Sequence, residues 1–207
     1  MSSPRARLTR MDPLLPAPLL AAAVSILLIA MLAGALVPAA LSLRAPRPTP
    51  MAISAALLLV ATLIAALSPV DVPAVADIVL AMLGITLAVL GGSPATRVVL
   101  GLATGDRVRE TADGGILIAS PRASADADGL ETLLRGGTTV GYLERVAVAM
   151  TIIAGFPEGI AVVVAVKGIG RFSELAAAEA RERFIVGTFA SIVWAALAGA
   201  LVRLAIW

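Results

Sequence analysis

The chain has no cysteine and no histidine, and it is poor in charge and in aromatic rings. Of its 207 residues, 14% are charged and 3% are Phe, Trp or Tyr. Without thiols there is no disulfide framework and no thiolate nucleophile. Without imidazoles the usual zinc site, a haem ligand pair and the common near-neutral acid–base group are all missing. Acid–base work would fall to Asp, Glu, Lys or Tyr. A net charge of only +2 and so few rings leave no basic, aromatic-studded stripe of the kind that holds nucleic acid. No metal cluster and no cofactor signature is visible, and no nucleic-acid partner is expected.

What the chain does have is apolar residues, 59% of the total, with a mean hydropathy of +0.99. Soluble domains run at about 45–50% apolar and about 25% charged. A soluble fold of this length cannot hide that surplus, because its surface grows nearly as fast as its volume. The lipid bilayer is the solvent that can take it.

Arg5, Arg7 and Arg10 precede an apolar run over 14–43, far longer than a signal-peptide core, which is read as a retained first helix. The proline-rich stretch 44–50 breaks it. A second span follows over 51–68, a turn over 69–73, and a third span over 74–92. Residues 93–138 gather five arginines beside six acids and read as a water-facing connector, with a flexible centre over 120–129. Residues 139–207 form a C-terminal membrane part. It has a broken segment over 142–170, a short amphipathic helix opening at Ser173–Glu174, and a last span over 185–206 that Trp207 closes at the interface. The expected fold is all-α: a polytopic helical membrane protein with four spans and a broken, re-entrant helical hairpin.

The break is Gly155-Phe156-Pro157-Glu158-Gly159, in which Gly follows one helix and Pro opens the next. Either 142–170 is one kinked helix of about 42 Å, or two legs of about 20 Å dip in and return. The hairpin places eleven basic residues on one side and four on the other. A single crossing splits them eight against seven. Clustering of positive charge on one side favours the hairpin.

Glu144, Arg145, Glu158, Lys167 and Arg171 are the candidate functional residues. Arg145 and Lys167 lie ten and nine residues from the break and return to similar depth, so Glu144 and Lys167 are expected to pair between the legs. Glu144, Arg145 and Lys167 stand near segment ends, where long side chains can snorkel. Glu158, in the first turn of the second leg, is the stronger functional candidate, since the helix dipole favours a carboxylate there. Gly136, Gly137 and Thr138 precede a helix and are candidate anion-binding residues through their backbone N–H groups. Ser191, Ala195 and Gly199, like Ala30 and Gly34, form small-residue stripes, expected to serve packing within the chain.

Leu134-Arg-Gly-Gly137, Gly141-Tyr-Leu-Glu-Arg145, Gly155-Phe-Pro-Glu158, Ala165-Val-Lys167, Arg171-Phe-Ser-Glu174 and Glu182-Arg-Phe-Ile-Val-Gly-Thr188 come in that order. Over 133–200, about a third of the chain, this series resembles a family of bacterial integral membrane proteins known only as a domain of unknown function. The resemblance implies a multi-pass protein of a bacterial plasma (inner) membrane. It marks Glu144, Glu158, Lys167 and Arg171, and it brings no activity.

The leading expectation is a small transporter or permease-like protein with a carboxylate at a broken helix. The alternative is a non-catalytic subunit or scaffold bound to a membrane-protein partner or to copies of itself. A third is a lipid-headgroup enzyme using Glu158 and Arg171, which needs those two to converge; enzyme activity is the less favoured class.

Overall fold

The computed structural model describes residues 16–45, 47–68, 71–104, 137–171 and 178–207. They form α1 (Ala17–Arg44), α2 (Pro48–Leu67), α3 (Ala74–Thr104), α4 (Gly137–Ile153), α5 (Gly159–Gly170) and α6 (Ala178–Ile206), with no strand among them. Four helices, α1, α2, α3 and α6, are long and apolar enough to cross a membrane. That is the architecture of a multi-pass membrane protein. In hydrocarbon each backbone N–H and C=O must be bonded within its own segment, so long apolar runs become helices.

These helices are apolar on nearly every side. Ile26, Leu41, Leu63, Ile78, Met82 and Val193 point outward, while Leu28, Leu32, Leu58, Leu80, Leu87 and Leu201 are fully buried. Lipid tails satisfy an outward leucine as well as a neighbouring helix does, so association depends on close packing. Alanines supply it: Ala35, Ala39, Ala61, Ala88, Ala195 and Ala198 are all buried. α3 and α6 share the most extensive interface, and α1, α2 and α4 pack around them.

Depth along the bundle follows from cross-contacts. Ser54 Oγ on α2 donates to the Ala35 carbonyl on α1 at 2.7 Å, and Trp194 Nε1 on α6 donates to the Leu87 carbonyl on α3 at 2.9 Å. Arg97 Nη2 reaches the Leu43 carbonyl at 3.2 Å, so the C-terminal ends of α1 and α3 lie together. α4 runs parallel to α6: Arg145 meets Ser191, and Arg203 meets Ile153.

Two expected boundaries move. Residues 93–104 were expected to open the connector, yet they continue α3 through Pro94, which is fully buried. The pair Gly91–Gly92 does not end the helix. It clears room for neighbours: a Cβ at Gly91 would lie 2.5 Å from Trp194 Cζ2, and one at Gly92 would collide with Arg145 Cδ. From residue 178 on, the amphipathic stretch is continuous with the last span, because 178–206 is one helix. Arg5, Arg7 and Arg10, the connector centre 120–129, Gly136, and Ser173 with Glu174 lie outside the described residues.

The chain reverses at 154–158. Gly155 takes φ +75°, Phe156 N–H bonds the Thr151 carbonyl at 2.8 Å and Gly155 N–H the Ile152 carbonyl at 3.0 Å. This is a Schellman close, which uses the left-handed freedom of Gly. α5 then returns along α4 as a helical hairpin. A side chain at Gly155 faces left-handed strain of about 1–2 kcal/mol, and its Cβ would strike the Arg203 guanidinium. Gly155→Ala is therefore expected to lower thermal stability and to speed proteolysis at the turn, measured on purified protein in detergent.

Candidate functional site

Three of the sequence candidates meet. Lys167 Nζ on α5 forms an ion pair with Glu144 Oε2 on α4, and both side chains stay partly exposed, at 21% and 15%. Arg145 behaves differently. Instead of snorkelling outward it is 95% enclosed, being 5% exposed. Its Nη2 donates to Ser93 Oγ at 2.8 Å and its Nη1 to Ser191 Oγ at 3.4 Å. Its guanidinium carbon lies 5.2 Å from the centre of the Tyr142 ring, within cation–π range.

The reason lies in the neighbours. Gly92 and Gly141 offer no side chain where the Arg145 stem and head must pass. Ser93 and Ser191 then present hydroxyls at its tip. Among the described residues no carboxylate stands in ion-pair range of Arg145, and its Nε has no hydrogen-bond partner. Ser93, at the head of the expected connector, and Ser191, in the expected packing stripe, are not among the candidates that the sequence offers. The signal available in the sequence was a hydroxyl on each of two spans level with an intramembrane arginine.

A small cavity opens beside this cluster, lined by Glu144, Arg145, Lys167 and Ser191 with Val148, Val163, Val164 and Ile192. Its volume is about 10 Å³, room for about one water. The hydroxyls of Thr96 and Thr188, each one turn from a serine of the cluster, are also buried without partners.

The other candidates stand apart. Glu158 is exposed at the hairpin turn, with no side-chain cap on α5, so the intramembrane carboxylate expected at the break is not buried. The turn stands level with Arg203, whose Nη1 donates to the Ile153 carbonyl at 3.3 Å and satisfies an open carbonyl at the end of α4. Arg171 lies at the other end of α5, and a Cβ on Gly137 would be 3.7 Å from its Nη2. Thr138 is exposed in the same first turn of α4. Thirteen residues separate Glu158 from Arg171 along α5, about 20 Å at helical rise. They do not converge on one headgroup, so the arrangement required of the lipid-headgroup enzyme is missing.

No family model, curated protein or solved structure matches the chain. The reading of this site therefore rests on its own chemistry. Among the described residues no group of three carboxylates stands close enough together to hold a metal ion. Two cations, one carboxylate and two hydroxyls thus lie together inside a helical bundle.

The small-residue stripes divide. Ser191, Ala195 and Gly199 are buried, and a Cβ on Gly199 would come within 2.9 Å of the Ala149 carbonyl oxygen, so this stripe seats α4 against α6. Ala30 and Gly34 are exposed on α1, and a Cβ on Gly34 would lie 3.7 Å from Leu57 Cδ1 of α2. The expectation of internal packing holds for α6; on α1 the stripe only borders α2, at Gly34. The difference is what faces each stripe: α4 covers one, and α2 touches only the edge of the other.

Proposed function

We propose that this chain is a small transporter or permease-like protein of a bacterial inner membrane, working through Arg145 and the adjoining Glu144–Lys167 pair. The observation that carries the reading is the enclosed guanidinium. Intramembrane ionisable groups are costly and mark ion or substrate paths by default. Arg145 has two hydroxyl partners and no carboxylate, in contrast to an arginine kept only for structure, which is normally paired. The break of the hairpin, with the helix termini and irregular backbone common at transport sites, lies about 15 Å further along α4, so the site stands on regular helix.

In this reading both ends of the hairpin lie on the side of the connector, and its turn reaches the depth of Arg203. Seven described basic residues, Arg44, Arg47, Arg97, Lys167, Arg171, Arg181 and Arg183, cluster at that end of the bundle, and Arg203 is at the other. Positive charge collects in the cytoplasm, which orients the protein. In the cysteine-free background, single cysteines at Ser124 and Ser173 are expected to label from the same, cytoplasmic side. Labelling from opposite faces would make the segment a single crossing.

The functional test is flux into reconstituted vesicles, with a pH-sensitive dye and ion-selective electrodes. Arg145→Lys keeps the charge and loses the planar fork that holds two hydroxyls, and is expected to lower flux by about tenfold or more. Glu158→Gln is expected to leave most of it. The reverse result would move the working site to the break, and silence of the unmodified protein would sink the transport reading. The second reading, a membrane subunit or scaffold, is favoured by the exposed Ala30 and Gly34, which suit close approach of a partner helix. It predicts a stable co-purifying partner that Gly34→Leu releases.

A further inference from the structure

We infer that the cavity between α4, α5 and α6 is a binding site for one small monovalent anion, held by Arg145, Lys167 and Ser191. This rests on the transport reading only for its role in flux; the site itself stands on the local chemistry. The argument begins with charge. Glu144, Arg145 and Lys167 amount to two cations and one carboxylate, and an uncompensated charge in a medium of low polarity is strongly disfavoured. No further carboxylate among the described residues stands in ion-pair range of the cluster. An anion entering the cavity completes the neutralisation.

The hydrogen-bonding inventory has the same sign. Arg145 Nε–H has no partner, but it lies against Gly92 on α3 without accessible surface, so the cavity is served by the other donors. Ser191 Oγ accepts from Arg145, which leaves its own proton to donate. Lys167 adds further N–H donors. The one strong acceptor lining the space, Glu144, is held by Lys167. With Ser191 and Lys167 as its donors and valines and Ile192 as its walls, the space suits a compact acceptor with no proton of its own to place, which describes a halide better than water.

Size and depth narrow the class. The room is about that of one water. A phosphate or an organic carboxylate is larger than that. Ser191 lies eight residues beyond Arg183 on α6, and Arg145 eight beyond Gly137 on α4, which puts the cluster about 12 Å inside the bundle by either helix. A tethered lipid headgroup does not reach that depth. The partly exposed Glu144–Lys167 pair stands at the mouth, and enclosed Arg145 and Ser191 form the floor. An arriving anion meets Lys167 first and then exchanges it for the fixed guanidinium.

The test uses the full chain in neutral detergent, with chloride as the probe replacing gluconate at constant ionic strength. Melting followed by circular dichroism is expected to show a saturable rise in Tm with chloride, as mass action requires of a ligand bound to the folded state. In Ser191→Ala, which keeps every charge, half-saturation is expected to need about tenfold more chloride, the loss of one charge-assisted hydrogen bond. Arg145→Gln should abolish the dependence, and Ser191→Ala carries the test if that variant does not fold. Equal Tm in chloride and gluconate, or an unchanged half-saturation in Ser191→Ala, overturns the site. Chloride flux in vesicles is measured in parallel. A saturable Tm effect without flux of any ion keeps the anion site and removes the transport reading. Flux of another ion without the Tm effect removes the anion site and keeps transport.

Discussion

Glu144→Gln is expected to destabilise the protein by about 3 kcal/mol, the cost of removing one partner from a mostly enclosed ion pair. The change is nearly isosteric, so packing is conserved and the loss is electrostatic. It leaves Lys167 and the adjacent Arg145 as two cations with no carboxylate between them in the described bundle. Lys167→Met should cost less, because the lysine is the more exposed partner and methionine keeps the apolar length of its stem. The exchanged double variant, Glu144→Lys with Lys167→Glu, restores opposite charges across the α4–α5 interface and should regain most of the loss. The neutral double, Glu144→Gln with Lys167→Met, should fall near the parent, since removing both partners removes the desolvation cost too. Unfolding midpoints in mixed detergent micelles measure all four. An exchanged double no more stable than the single variants would mean that the pair does not hold the hairpin.

Gly199→Val is expected to cost about 3 kcal/mol and to separate α4 from α6. The site has no give. An added Cβ would lie 2.9 Å from the Ala149 carbonyl oxygen and 3.1 Å from Ala149 Cα, which are backbone atoms of a neighbouring helix and not the flexible end of a side chain. Relief requires a shift of α4, and with it of Arg145 relative to Ser191. Gly168→Ala is the control, because a methyl there meets nothing within 4 Å. It should be neutral or stabilising by up to about 1 kcal/mol through helix propensity. Paired melting curves and the protease resistance of α4 read the contrast. Equal effects at the two glycines would contradict the close α4–α6 contact.

The spans and the hairpin were legible for local reasons. A run such as 17–44 has only one way to satisfy its backbone in lipid, and that way is a helix. Gly155 followed by Pro157 announces a left-handed close and a new first turn, and the reversal occurs there. Once the turn is placed, equal spacing on either side brings Glu144 opposite Lys167 by helical rise alone.

What the sequence determined, then, is what each stretch can satisfy within itself: helix, turn and the ladder between two legs. The tertiary structure decided which way each helix faces. α3 continues through Gly91, Gly92 and Pro94 because Trp194 and Arg145 fill the space those residues leave. Arg145 turns inward because hydroxyls from α3 and α6 meet it there. Glu158, the carboxylate that local rules favoured, is left exposed. The physical reason is common to all three. A helix apolar on every side carries little pattern to say which face is inner, and lipid offers no penalty for the wrong choice. Only the fit of small residues and the meeting of polar atoms between helices select the inner face, and these are properties of the assembled bundle.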